Sequence, residues 1–418
     1  MIPRILSYFP RQISIFKRGL NITSSIPQFS TENSPVYDRQ ISTSSSIIRV
    51  SWEEKLTSTY HNIWLRDHCQ CKQCLHPLTK QRLINTLEIP RDIKSTNIEQ
   101  SKEGLTIHWN HQAHKSFYEW SWLYRHSYNP RLHTIHLPQK ELWSCDIQQN
   151  LPVVDYDAVI NSDDGVAEWT SKIYRYGFCF VNGVPANPKA TEQLICRIAY
   201  IRSTHYGSFW DFTSDLSKAD LAYTSAELDA HTDTTYFTDP AGLQLLHLLK
   251  FNGEGGKTLL VDGFRAAQIL REEDPIAYRI LSTIRVPSHT AGDKETFIQP
   301  STPNPILTHN ITTGQLEQIR WNNGHRSVMD QWDNPDDVTR FYDAIQKWNE
   351  ILKRKDSELW VQLRPGRAVI FDNWRVLHGR SAFSGYRRMC GGYINRDDYL
   401  SRLRLTNLGR EEVLKTIF

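Results

Sequence analysis

Long apolar runs are missing from this 418-residue sequence, and none approaches the roughly 18 residues a helix needs to cross a bilayer. Excess charge is missing too. A formal net charge of +3 argues neither for nor against acidic partners and is too small to suggest nucleic-acid binding. Cysteines are few and odd in number, seven in all, with Cys69, Cys71 and Cys74 crowded together and the rest scattered. That pattern excludes a disulfide framework and reads as a metal site in a reducing compartment. Acidic residues are absent before Glu32, whereas Arg4, Arg11, Lys17 and Arg18 punctuate a leader that interleaves Ile, Leu and Phe with Ser. Such a leader reads as a mitochondrial transit peptide bound for the matrix, against the alternative of a disordered basic tail on a cytoplasmic protein.

What is present describes an ordinary globular protein, 39% hydrophobic and 23% charged, with room for one large domain and a small one. Thirteen tryptophans suit a pocket built from rings, and a β-rich core accounts for them equally well. The Ser- and Thr-rich stretch from Ser30 to Ser46 closes a leader and linker, residues 1–46. A small unit follows over residues 47–142, and a larger domain over 151–418. Strand-like runs dominate the larger domain: Gly177 to Val181, Leu359 to Leu363, and Ala368 to Phe371 after the Pro365-Gly366 turn. One helix is well marked, with Asn334-Pro335 at its start. Val338, Phe341, Ile345, Trp348 and Leu352 follow at steps of three and four, and Lys353-Arg354-Lys355 closes it. The pattern predicts a mainly β fold with helical insertions, a barrel or jelly roll.

His231-Thr232-Asp233 is the central chemical feature. On an extended segment residues i and i+2 share a face, so an imidazole and a carboxylate can meet one ion. His378, at the end of a second strand-like run, offers a third ligand. Two histidines and a carboxylate leave three positions open, which suits non-haem Fe(II) binding a bidentate 2-oxo acid and O2. The tripeptide alone is weak, since 16 histidines and 46 acids in 418 residues yield about two such matches by chance. Arg387, nine residues beyond His378, strengthens it, because a guanidinium one strand away can grip a carboxylate bidentately. Its neighbour Arg388 points to the opposite face of an extended strand.

His231-Thr-Asp-Thr-Thr-Tyr-Phe237, Gly255-Gly-Lys-Thr-Leu-Leu-Val-Asp-Gly-Phe264 and Asn373-Trp-Arg-Val-Leu-His-Gly-Arg380 resemble the core motifs of the γ-butyrobetaine/trimethyllysine dioxygenase family. The resemblance covers nearly all of the chain after the leader. It implies a double-stranded β-helix (jelly roll) catalytic domain and a small N-terminal zinc-binding β domain. It also implies Fe(II) on His231, Asp233 and His378, with 2-oxoglutarate on Arg387 and Thr258. O2 and ascorbate complete the expected cofactors, and a homodimer is what the family suggests. Taken as structure alone, Thr258 is an ordinary strand residue.

The family's substrates carry a quaternary ammonium, which cannot donate hydrogen bonds and is recognised by ring faces. Tyr206, Trp210, Tyr223 and Tyr393 match its cage positions, and Asn322 matches a contact to the substrate carboxylate. Without the family, Tyr206 and Trp210, four apart on a helical turn, read as core. Trp64-Leu-Arg-Asp-His68-Cys69-Gln-Cys71-Lys-Gln-Cys74 matches the family's structural zinc site, whose histidine aligns with His114. His68, His76, His108 and His111 are local competitors for that fourth position. No basic recognition helix accompanies the cysteines, which argues against nucleic acid. Thr234 to Phe237, Lys257 to Leu260 and Tyr393 to Asp398 look more like the branch acting on trimethyllysine, at the first step of carnitine biosynthesis, than the γ-butyrobetaine branch at its last. Asp220, Asp239, Asp397 and Asp398 are candidates to meet an α-ammonium. A non-catalytic jelly-roll binding protein and a mononuclear zinc hydrolase are the alternatives from other classes; the second leaves Arg387 without a purpose.

Overall fold

The computed structural model describes residues 39–133, 137–213 and 224–418. The chain divides into two compact units between residues 133 and 134. The smaller holds two three-stranded antiparallel sheets. One is β1 (Ile41–Thr43), β2 (Ile47–Glu53) and β3 (Leu56–His61); the other is β4 (Ser95–Gln100), β5 (Gly104–Trp109) and β6 (Lys115–Glu119). Alternation puts Ile48, Val50, Leu105, Ile107 and Trp109 into one core with Leu65, Trp120 and Leu123 from two short helices. Residues 69–94, which start at the cysteine cluster, contain no strand.

The larger unit is built on two facing sheets. The six-stranded one runs in the order β7 (Val153–Asp155), β8 (Phe178–Asn182), β18 (Arg367–Asp372), β11 (Leu243–Asn252), β20 (Tyr386–Ile394) and β9 (Phe209–Thr213). The four-stranded one runs β10 (Leu228–His231), β19 (Val376–Arg380), β12 (Thr258–Asp262) and β17 (Leu359–Val361). Between them Phe178, Phe180, Leu248, Val369, Phe371 and Met389 meet Leu260, Leu359 and Val376. The alternate residues face outward. Cys179, Val181, Ala368 and Ile370 pack under helices Asp163–Tyr176 and Arg396–Leu408, while Leu259, Val261 and Leu377 pack under Gly263–Glu273 and Asp337–Leu352. Both faces of the central strands are therefore covered, which is why Gly177 to Val181 shows no apolar–polar alternation. Each such side chain contributes on the order of 1.5–3 kcal/mol by leaving water. This is a jelly-roll arrangement flanked by helices on both sides.

Residues 137–150 belong to the larger unit. Leu137 joins its outer layer, and the Trp143 N–H donates to Asp262 at 3.1 Å while its ring packs 5.0 Å from Phe178. The small unit thus ends earlier than residue 142. The marked helix spans Asp337–Leu352 and buries Phe341, Ala344, Trp348, Ile351 and Leu352. Asn334 does not cap it; its side chain accepts the Asp336 N–H at 3.0 Å in a preceding turn. Two short ladders, β13 (Arg285–Val286) with β14 (Asn304–Pro305) and β15 (Leu307–His309) with β16 (Leu316–Ile319), fill the stretch between the helices.

Candidate iron and co-substrate site

His231 is the last residue of β10 and lies directly across the ladder from His378 of β19, with ring centroids 4.4 Å apart. Asp233 lies beyond the strand end, yet its carboxylate comes within 3.3 Å of His231 Nε2 and 3.8 Å of His378 Nε2. All three donor atoms sit within 4.8 Å of one another. Asp233 reaches them from a bend, followed by Thr234 at a φ of +56°, so the shared face does not depend on a continuing strand.

The protonation states suit a metal ion. His231 Nδ1 lies 2.8 Å from the Asp229 carbonyl, which places the proton there and the lone pair on Nε2, the atom that faces Asp233. Burial, and then the adjacent His231, push His378 down to about 3. Burial alone would raise Asp233, but the neighbouring His378 and His231 rings and the hydrogen bond from the Tyr393 hydroxyl outweigh it and hold the carboxyl well below its usual range. Neutral imidazoles and an ionised carboxylate are the forms that coordinate metal, and this donor set fits Fe(II) with open positions opposite.

Arg387 is buried on β20, across from Phe251, with its guanidinium 5.5 Å from the Phe383 ring. Burial, and then the charge of Arg380, lower it to about 9, which keeps it cationic at neutral pH. It makes no ion pair among the described residues, whereas Arg388 on the other face pairs with Asp211 at 2.5 Å. Gly256, at a φ of +64°, packs against the same guanidinium; a Cβ there would lie 3.3 Å from Phe383 and 3.7 Å from Arg387 Nε. Thr258, buried on β12, lines the cavity that Arg387, His231, Asp233 and His378 share, about 980 Å³ in volume.

Trp210, Tyr393, Tyr206 and Asn322 line that cavity too. Trp210 and Tyr393 meet edge to face at 5.0 Å, and Tyr206 packs beside them. Tyr206 and Trp210 do not lie on a helical turn. Thr204 and Gly207 exchange backbone hydrogen bonds in a tight turn, Gly207 has a φ of +98°, and Trp210 is on β9. Tyr393 also does something the sequence did not suggest: its hydroxyl donates to Asp233 Oδ2 at 2.6 Å. The Asn322 side-chain oxygen is engaged by the Gly324 N–H at 3.0 Å. Tyr223 and Asp220 lie outside the described residues, and Asp239, Asp397 and Asp398 do not line the cavity. Sequence reasoning overlooked Tyr236, whose hydroxyl donates to that of Tyr206 at 3.4 Å, and Asn373, which hydrogen-bonds the Asp233 backbone. Their place in the quoted motifs was the available signal.

Residues 136–393 match the taurine catabolism dioxygenase TauD, TfdA family, and residues 39–124 match the gamma-butyrobetaine hydroxylase-like N-terminal family. A trimethyllysine dioxygenase from Meyerozyma guilliermondii is 47% identical over 88% of this chain and 96% of its own length. The chain belongs to the γ-butyrobetaine/trimethyllysine dioxygenase family. A mitochondrial trimethyllysine dioxygenase from Homo sapiens is 39% identical over 83% of this chain and 82% of its own. A gamma-butyrobetaine dioxygenase from Pseudomonas sp. is 32% identical over 85% and 92%.

In the unit that carries the family's N-terminal match, His114 Nε2 lies 3.3, 3.8 and 3.6 Å from the sulfurs of Cys69, Cys71 and Cys74. Zinc–sulfur and zinc–nitrogen bonds of about 2.3 and 2.0 Å at a tetrahedral angle separate such atoms by about 3.5 Å, so the four donors fit. Three of the competing histidines are engaged elsewhere. His68 Nδ1 lies 2.7 Å from the Trp64 carbonyl, His76 accepts the Thr79 N–H, and His108 contacts Glu99 at 2.9 Å. Burial pushes the Cys69 thiol up to about 12, while hydrogen bonds from its neighbours lower Cys71.

Proposed function

We propose that this protein hydroxylates N6,N6,N6-trimethyl-L-lysine at carbon 3, while 2-oxoglutarate is decarboxylated to succinate and CO2. One oxygen atom of O2 enters the amino acid and the other enters succinate. The observation that carries the reading is a buried arginine without an anionic partner among the described residues, in one cavity with two histidines and an aspartate in coordinating reach. Fe(II) on His231, Asp233 and His378 would supply oxidation of an unactivated C–H bond. The chain's own contribution is placement and exclusion of water. Arg387, assisted by Thr258, takes the far carboxylate of 2-oxoglutarate. Tyr206, Trp210 and Tyr393 offer ring surface to the trimethylammonium, with Asn322 facing the substrate carboxylate; Tyr223, outside the described residues, is a further candidate from the family motif.

Identity favours trimethyllysine over γ-butyrobetaine, the second reading, because the relatives named for trimethyllysine are the more similar. The test is succinate formation with Fe(II), ascorbate and 2-oxoglutarate, comparing the two substrates. Turnover of γ-butyrobetaine in preference to trimethyllysine would reverse the choice, and no substrate-dependent succinate from either would end the reading. Within it, Trp210→Leu is expected to raise the KM for trimethyllysine about 5- to 30-fold, the loss of 1–2 kcal/mol of cation–π attraction. The affinity for 2-oxoglutarate should not change.

Cys69, Cys71, Cys74 and His114 are proposed to hold a structural zinc ion. Cys74→Ser is expected to lower bound zinc from about one per chain toward zero and to lower the melting temperature. Zinc retained at full occupancy in that variant would remove the proposal. The acid-free leader, which lies outside the described residues, supports a mitochondrial matrix location.

A further inference from the structure

Asp233 is the one member of the donor set that no strand holds, since β10 ends at His231. Asn373, in the turn between β18 and β19, takes over. Its Oδ1 accepts the Asp233 N–H at 2.7 Å, and its Nδ2 donates to the carbonyls of Asp233 and Ala241 at 3.0 Å each. One amide therefore satisfies both backbone groups of Asp233 and ties together the two ends of the 233–241 loop. Its side chain is buried, so water cannot replace these bonds.

The rest of the loop is also hung on side chains instead of a ladder. Arg320 donates to the carbonyls of Thr235 and Phe237 at 2.7 and 2.6 Å, Ser288 to Thr235 at 2.9 Å, and Trp374 to Pro240 at 3.2 Å. Thr234, β-branched and left-handed at a φ of +56°, is a conformation that persists only where the surroundings impose it. Its hydroxyl accepts the Ala241 N–H at 2.8 Å, beside the Asn373 bond to the same residue. Asn373 is the member of this scaffold that touches the Asp233 backbone, and it precedes His378 by five residues on the turn leading into β19.

We infer that Asn373 is a positioning residue: it fixes Asp233 for the metal and couples that ligand to the strand bearing His378. The inference rests on reading His231, Asp233 and His378 as the ligands. Mn(II) tests it, because this hard cation favours a carboxylate-bearing site over thiolates and leaves the cysteine cluster of the small unit aside. Free Mn(II) would be followed by EPR on titrating the full chain, its Asn373→Ala and Asn373→Asp variants, and His378→Ala. Groups that orient metal ligands are worth about 10- to 100-fold in affinity. Asn373→Ala is expected to weaken Mn(II) by that factor at unchanged far-ultraviolet circular dichroism, with turnover recovering as Fe(II) is raised. Asn373→Asp has the same shape and carries the comparison if the alanine variant fails to fold. It keeps the acceptor but turns its other oxygen toward two carbonyls, so it should weaken Mn(II) similarly. An Mn(II) affinity within twofold of the parent in the folded variants, or lost turnover that excess Fe(II) does not restore, would overturn the inference. Mn(II) binding in the parent that His378→Ala leaves intact would instead sink the ligand assignment itself.

Discussion

Asp233→Ala is expected to cut trimethyllysine-dependent succinate formation by about 10³-fold or more, beyond the roughly 10- to 100-fold typical of groups that only orient a ligand. The carboxylate is the sole anion of the donor set, and the Tyr393 hydroxyl donates to it. Removing it leaves two neutral imidazoles facing a dication. Asp233→Glu should not restore activity, because the longer chain must break the 2.6 Å contact with Tyr393 or crowd His378. The measurement is oxygen consumption with metal content determined on the same sample. Unchanged consumption in Asp233→Ala would remove the iron site proposed here.

Arg387→Ala is expected to weaken 2-oxoglutarate by about 30- to several-thousandfold while sparing Mn(II) affinity. Truncating one member of a buried charge pair typically costs 2–5 kcal/mol, and each 1.4 kcal/mol is tenfold. Arg387→Lys should recover only part of this, since an ammonium cannot repeat the two parallel bonds of a guanidinium. Arg388→Ala is the internal control. Its pairing with Asp211 is at the surface, where an ion pair contributes about 0–1 kcal/mol, so 2-oxoglutarate binding should be unaffected. Isothermal titration of 2-oxoglutarate into the Mn(II)-loaded protein reads all three variants. Equal losses at 387 and 388 would mean that the co-substrate carboxylate lies elsewhere.

Several features were legible in the amino-acid order because they depend on short spacing. His231 and Asp233 are two apart, the three cysteines fall in one short stretch, and consecutive Arg387 and Arg388 must face opposite ways on a strand. The helix at Asp337–Leu352 was legible because its apolar side repeats at three and four. The strands of the larger unit were harder to read. Phe178 to Val181 and Val369 to Phe371 are buried on both faces, which erases the alternation that marks a half-exposed strand. Tyr206 and Trp210 show the opposite failure. A spacing of four lets two rings share a face on a helical turn, but here a tight turn at Gly207 and a strand bring them together.

The order of residues by itself determined the kinds of chemical group available, the family, and which neighbours in the chain could share a ligand or a face. Tertiary structure alone decided that His231 stands opposite His378, that the Tyr393 hydroxyl reaches Asp233, and that Asn373 clasps Asp233 across 140 residues. Ladder register and loop closure decide such meetings. Both come from packing whole sheets and helices against one another, and no local spacing encodes them.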